Sequence, residues 1–138
     1  MSFKKRDRLL VLALLICGMS VAGCVVKYSV VGKYVSVPQT FRGTLTARAN
    51  PEEGFMEVAR EDDDVKCVGR TMVSLAPPGK QGRLSLVCED GTRILTSYRV
   101  IAWGKGYGSG TDQQGRRFLF TFGMEDRESA RYLEEAEP

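Results

Sequence analysis

Apolar and polar residues alternate along most of the chain beyond residue 24, in short runs separated by turn-forming clusters. Phe41 to Ala49 alternates and is followed by the turn Asn50-Pro51-Glu52-Glu53-Gly54. Phe55 to Arg60 is the next run and ends at Glu61-Asp62-Asp63-Asp64; Val65 to Leu75 is the third and ends at Pro77-Pro78-Gly79-Lys80-Gln81-Gly82. A period of two turns one face to a core and the other to water, so each run predicts a strand. Arg83 to Cys88, the turn Glu89-Asp90-Gly91 and the return Thr92 to Ser97 predict a hairpin, because Asp-Gly tolerates the positive φ that twist-matched hairpin turns require. Tyr98 to Tyr107 continues extended, and Arg116 to Phe122 closes the series.

Within that last run Phe118, Phe120 and Phe122 fall on one side of a strand. Three rings on one face need a core to cover them, or a partner if they are exposed. Beyond Gly123 the rhythm changes: Glu125 to Ala136 is rich in helix formers, with acids in its first turn and a weak apolar stripe of Ala130, Leu133 and Ala136. That predicts a short helix, docked or frayed. Together these elements predict an all-β fold, a small antiparallel sandwich or barrel of about 6–8 short strands with a short C-terminal helix.

The amino terminus follows another pattern. Lys4, Lys5, Arg6 and Arg8 precede the apolar run Leu9 to Cys17, and small residues dominate from Gly18 to Gly23, as in a signal peptide. The apolar run is shorter than the roughly 20 residues a membrane-spanning helix needs. It ends at Val21-Ala22-Gly23-Cys24. This resembles the lipobox of bacterial lipoproteins, with valine where leucine is commonest. The resemblance implies lipidation of Cys24, cleavage before it, acylation of the freed amine and a stable hold on the membrane. It also implies a place in the cell envelope, and Val25 after the cysteine favours the outer over the inner membrane, since aspartate commonly stands there in proteins kept at the inner one.

Residues 1–23 are therefore expected to be a signal peptide, 24–40 a membrane-proximal extended segment, 41–123 the β domain and 124–138 a helical tail. The segment after Cys24 is Val- and Tyr-rich, which suits a first strand broken at Gly32, or a strand that adds to a partner's sheet.

Charge and cysteine content change the picture once cleavage is considered. The full chain has 138 residues, 20 Lys+Arg and 17 Asp+Glu; losing residues 1–23 removes four bases and one acid and leaves sixteen of each. A neutral body lacks a nucleic-acid footprint, and no long run of bases marks a site for anionic lipid. Cys17 leaves with the signal and Cys24 takes lipid, so Cys67 and Cys88 remain as an even pair in an oxidising compartment, where a disulfide is expected. A metal pair is the competing reading, but the chain has no histidine to complete one, and no metal is expected.

Candidate chemistry is sparse. Gly104-Lys105-Gly106-Tyr107-Gly108-Ser109-Gly110 contains Gly-x-Gly-x-Gly, yet no helix follows to meet a phosphate; a strand end with glycines at a bulge or where a bulky neighbour packs, next to a polar hairpin loop, is the simpler account. The acids Glu61 to Asp64 lack the spacing of a calcium loop and suit a solvated turn. Without histidine the common nucleophilic and metal-hydrolytic sites cannot be assembled, so neither catalytic residues nor a cofactor are expected. The expected function is that of a non-enzymatic lipoprotein, structural or protein-binding, held to the membrane by its lipid, with an envelope protein as its partner and no nucleic acid. Two alternatives stand beside it. One is a small barrel binding an apolar or wall-derived ligand in a cavity lined by Trp103, Tyr107, Phe118, Phe120 and Phe122, which fails if those rings are tightly packed. The other is an inhibitor of a foreign hydrolase that presents Gly106 to Gly115 as a wedge.

Overall fold

The computed structural model describes residues 25–49, 52–71 and 78–135. The signal peptide, Cys24, the Asn50-Pro51 turn and residues 72–77 and 136–138 lie outside them. Eight antiparallel strands form a closed barrel: β1 (Val25–Tyr34), β2 (Thr40–Ala49), β3 (Glu52–Arg60), β4 (Lys66–Thr71), β5 (Gln81–Cys88), β6 (Arg93–Ala102), β7 (Lys105–Asp112) and β8 (Arg117–Phe122). Each strand pairs with the next in sequence, and β1 closes the ring on β8 over Val30–Tyr34. Helix α1 (Asp126–Glu135) follows. The sheet is thus a barrel rather than a sandwich. The end at which β1 begins is called proximal here; it also carries the β2–β3, β4–β5 and β6–β7 connections, and the other connections between strands lie at the distal end.

Strict alternation places one side of β4, β5 and β6 inside and the other in water. The interior is built from Val30, Tyr34, Phe41, Leu45, Met56, Val58, Leu84, Leu86, Ile94, Tyr98 and the three phenylalanines of β8, all buried. Strand β8 is buried on both faces, because Leu119 and Thr121 on its outer side lie beneath α1. The helix therefore docks. It does so through Ser129 and Leu133, with Tyr132 against Tyr107 at 5.0 Å, while Ala130 of the expected stripe is exposed. The Thr121 and Ser129 hydroxyls share a short hydrogen bond that satisfies both beneath the helix.

Three expected boundaries move. Residues 25–34 are one unbroken strand integral to the barrel and not a separate segment, since β1 pairs with β2 along Val25–Lys33 and with β8 beyond Val30. Glu52-Glu53-Gly54 is strand and not turn: Gly54 faces Ala47 in the ladder, and Glu53 faces Arg48, to which it is also ion-paired at 3.7 Å. The extended run expected over Tyr98 to Tyr107 is interrupted at Trp103-Gly104, where the chain reverses between β6 and β7 and Gly104 takes φ +70°. The Asp90-Gly91 hairpin forms as expected, with Gly91 at φ +87° and its N–H donated to the Cys88 carbonyl at 3.0 Å.

Cys67 and Cys88 stand directly opposite each other on β4 and β5, side chains inward, and are bonded. With the two cysteines 21 positions apart in sequence, the bridge contributes about 3 kcal/mol in the chain-entropy account. Replacing both by alanine should lower the unfolding free energy by about that amount in urea, and reduction of the native chain should match it. An unchanged midpoint would deny the bridge a role in stability.

Candidate functional site

An eight-stranded barrel is just wide enough for side chains to fill or for one small ligand to enter. Here side chains fill it. Across the β7–β8 ladder Gly106 faces Phe122, Gly108 faces Phe120 and Gly110 faces Phe118; on the other flank Gly32 of β1 faces Phe120. A Cβ at Gly106 or Gly108 would overlap the ring of Phe122 or Phe120, and one at Gly32 would lie 2.6 Å from Cζ of Phe118. In the Gly-x-Gly-x-Gly of β7 the places at Gly106 and Gly108 are thus taken by two rings, while at Gly110 a Cβ would meet the Leu95 and Thr96 backbone; it is not a phosphate cradle. Tyr34, Phe41 and Phe118 meet edge to face with centroids 5.3–5.8 Å apart. The residual gap among Leu45, Met56, Leu84, Tyr98, Phe120 and Phe122 has no room for a water molecule.

The five aromatic residues expected to share one face do not share it. Phe118, Phe120 and Phe122 point into the barrel, Tyr107 points outward beneath α1, and Trp103 stands in solvent at the β6–β7 turn, 69% exposed. Trp103 and Tyr107 cannot line a lumen that their backbone positions place behind the sheet. The wedge fares no better: Gly106 to Asp112 is strand, and only residues 113–116 form a turn.

The distal end is closed by a polar cluster that sequence reading missed. Asp112, at the end of β7, has a fully buried carboxylate. It accepts hydrogen bonds from the backbone N–H groups of Gln114 and Arg116, from Arg116 Nε at 2.7 Å and from the Tyr34 hydroxyl at 3.1 Å. The Arg116 guanidinium lies over the Tyr34 ring, 4.8 Å from its centroid. Burial raises the Asp112 pKa, but the donors from Arg116, Gln114 and Tyr34 outweigh it and hold the carboxyl below its ordinary value. Burial, then the hydrogen bond to Asp112, pushes the Tyr34 phenol up to about 12. A raised phenol favours the folded state while the unfolded tyrosine is still neutral. Stability from Tyr34 is therefore complete below pH 10 and lost towards about 12. Tyr34→Phe should flatten this alkaline limb; an identical limb in both proteins would assign it elsewhere. The signal in the sequence was Asp112 four residues before Arg116, an acid ending one run and a base opening the next.

The acidic turn is engaged with arginine. Asp63 takes Arg60 in a two-pronged pair at 2.7 and 2.8 Å, Asp90 adds a third bond to Arg60, and Glu61 holds Arg42 at 2.6 Å. Among the described residues no group of three or more acids or cysteines could hold a metal. Two features remain on the outer wall. Val68 and Val87 oppose each other across β4 and β5, with Phe55 and Leu95 on the flanking strands, all four exposed. Beside Phe55 a groove of about 270 Å³ runs between Arg48 and Arg70, floored by Thr46 and Gly54.

No protein-family model matches the chain, and no curated protein matches it. Two solved structures do. A redesigned β-barrel, mFAP1, bound to DFHBI, superposes with a TM-score of 0.56 at 12% identity over 71% of this chain and 92% of that one. A de novo designed fluorescence-activating β-barrel gives 0.54 at 17% identity over 72% of this chain and 91% of that one. At such identities the likeness is one of fold: an eight-stranded antiparallel barrel, here with its lumen filled by its own rings.

Proposed function

We propose that the chain is a lipid-anchored protein of the bacterial envelope, favouring the outer membrane, whose barrel acts without catalysis as a structural or protein-binding body through its outer wall. The observation that carries this reading is the junction at Cys24: the lipobox cysteine is followed at once by Val25, the first residue of β1. The barrel would then stand directly on its anchor without a linker. The filled lumen turns any contact outward, to the Val68–Val87 pair and its neighbours Phe55 and Leu95. Exposed apolar side chains gathered on one wall suit a protein partner better than a solvated surface. Although mFAP1 holds DFHBI, the gap among the described core residues of this barrel has no room even for water.

Expression with labelled fatty acid tests the anchor. The native chain should take up label and lose residues 1–23, and Cys24→Ser should remain uncut and unlabelled. Equal labelling of the variant would refute the site. Crosslinking in the native envelope, with Val68→Asp/Val87→Asp as the comparison, should recover a partner that the double variant loses; a partner retained by it would place the contact elsewhere.

A further inference from the structure

No run of bases is visible in the sequence, but the fold gathers scattered ones at the proximal end. Lys27 of β1, Arg48 of β2, Arg70 of β4, Lys80, Arg83 of β5, Arg99 of β6 and Lys105 of β7 lie in the proximal half of their strands or in its connections. Arg48 is paired with Glu53, and Lys105 with Glu128 at 2.9 Å. Lys27, Arg70, Lys80, Arg83 and Arg99 have no carboxylate partner among the described residues. Arg70 faces Ser85, Arg83 faces Ser97 and Arg99 faces Gln81, so the three arginines occupy diagonal positions on neighbouring strands, successive ones about 7–8 Å apart and their Cβ atoms somewhat closer. The acids of this end are Glu52, Glu53, Glu125, Asp126 and Glu128, of which Glu53, Asp126 and Glu128 are in ion pairs. The distal connections instead hold Glu61, Asp62, Asp63, Asp64, Glu89 and Asp90. The same end holds Lys33, Arg42, Arg60, Lys66, Arg93, Arg116 and Arg117 against these acids and Asp112, so it is balanced and the barrel's excess of base lies at the proximal end.

The basic end also exposes apolar groups. Trp103 projects from the β6–β7 turn at 69% exposure, and Val25 and Val26 are exposed at the start of β1. The turn sits beside β1: a Cβ on Gly104 would overlap the ring of Tyr28. Residues 1–24, outside the described chain, join the barrel at this same end. A tryptophan set among lysine and arginine is the composition of a membrane–water interface.

We propose that the proximal end docks on an anionic phospholipid surface, with Trp103 at the boundary between headgroups and acyl chains and Lys27, Arg70, Lys80, Arg83 and Arg99 towards the phosphates. The orientation rests in part on the lipid anchor at Cys24; the basic, tryptophan-tipped end does not. It would point the distal acidic turns away from the bilayer and leave the Phe55–Leu95 wall standing sideways.

Trp103 is the chain's one tryptophan and reports directly. The protein purified from its membranes would be placed in phosphatidylcholine vesicles with and without phosphatidylglycerol, its fatty acids having first been read by mass. With phosphatidylglycerol, Trp103 emission should shift to the blue and be quenched by brominated acyl chains, and both effects should weaken in high salt. Each cation near the surface is worth about fivefold in binding, so Arg70→Glu/Arg83→Glu/Arg99→Glu should lose the response while retaining the fold by circular dichroism. If the mass shows no fatty acid, the same protein is added to preformed vesicles and sedimented. The anchor reading then fails, yet binding should still require phosphatidylglycerol and the three arginines. A water-like Trp103 spectrum in anionic vesicles, or a response indifferent to phosphatidylglycerol and to the arginine variant, would overturn the proposal.

Discussion

Phe118→Ala should lower the unfolding free energy by about 3–5 kcal/mol, the range for removing a buried aromatic ring and leaving its space unfilled. The ring is fully buried against Tyr34, Phe41 and Phe120, at the point where β8 closes on β1. Barrel closure makes collapse of that space difficult, because every strand is held on both sides. A second experiment isolates the fit between ring and glycine. Gly32→Ala alone should cost about 1–3 kcal/mol by overpacking, since the new methyl would meet Cζ of Phe118 at 2.6 Å. Combined with Phe118→Leu it should cost much less than the sum of the two changes, because the shorter side chain frees the place the methyl needs. Urea melts of the four proteins provide the cycle. Strict additivity would mean that ring and glycine do not compete for one space.

Asp112→Ala should cost about 3 kcal/mol, the lower end of the range for breaking a buried ion pair. The lower end applies because Arg116 keeps part of its side chain in water, 32% exposed, while the carboxylate itself has none. Its removal leaves the Tyr34 hydroxyl and two backbone N–H groups without their acceptor. The acid limb checks the same cluster. A carboxyl held below its ordinary value adds stability that is complete above the unfolded aspartate pKa, near 3.8, and lost as the pH falls through the lower folded value. The margin of the native chain over Asp112→Asn should therefore be full at neutral pH and shrink below about pH 4. A margin that stays constant into strong acid would mean that the Asp112 charge contributes nothing.

Much of this architecture is legible in the chain because period-two alternation survives wherever one strand face meets water. Residues 83–88 and their return after Asp90-Gly91 illustrate it, with Leu84 and Leu86 inward and Arg83 and Ser85 outward. Reading fails where that contrast disappears. Strand β7 is glycine-rich, and glycine is depleted in strands; packing of Gly106 and Gly108 against Phe122 and Phe120, and of Gly110 against the β6 backbone, explains its composition, and those contacts are tertiary facts. The turn at Trp103-Gly104 is hidden because its flanks are extended on both sides and its first residue is a strand former. Phe118, Phe120 and Phe122 are read correctly as sharing a face, yet Trp103 and Tyr107 cannot be sorted from them without knowing that the sheet closes and that α1 covers its outside. The basic end is equally invisible, being assembled from single residues on six strands and one connection.

The proposed anchor at Cys24 ties these parts together, since it would set the compartment, the redox environment of Cys67 and Cys88 and the orientation of the basic end. Its most direct test is the intact mass of the native protein taken from the envelope without reductant. The expected species begins at Cys24, carries diacylglycerol and an amide-linked acyl chain, and is two hydrogens lighter than the dithiol. A chain that begins at Met1, or bears no fatty acid, would contradict the account.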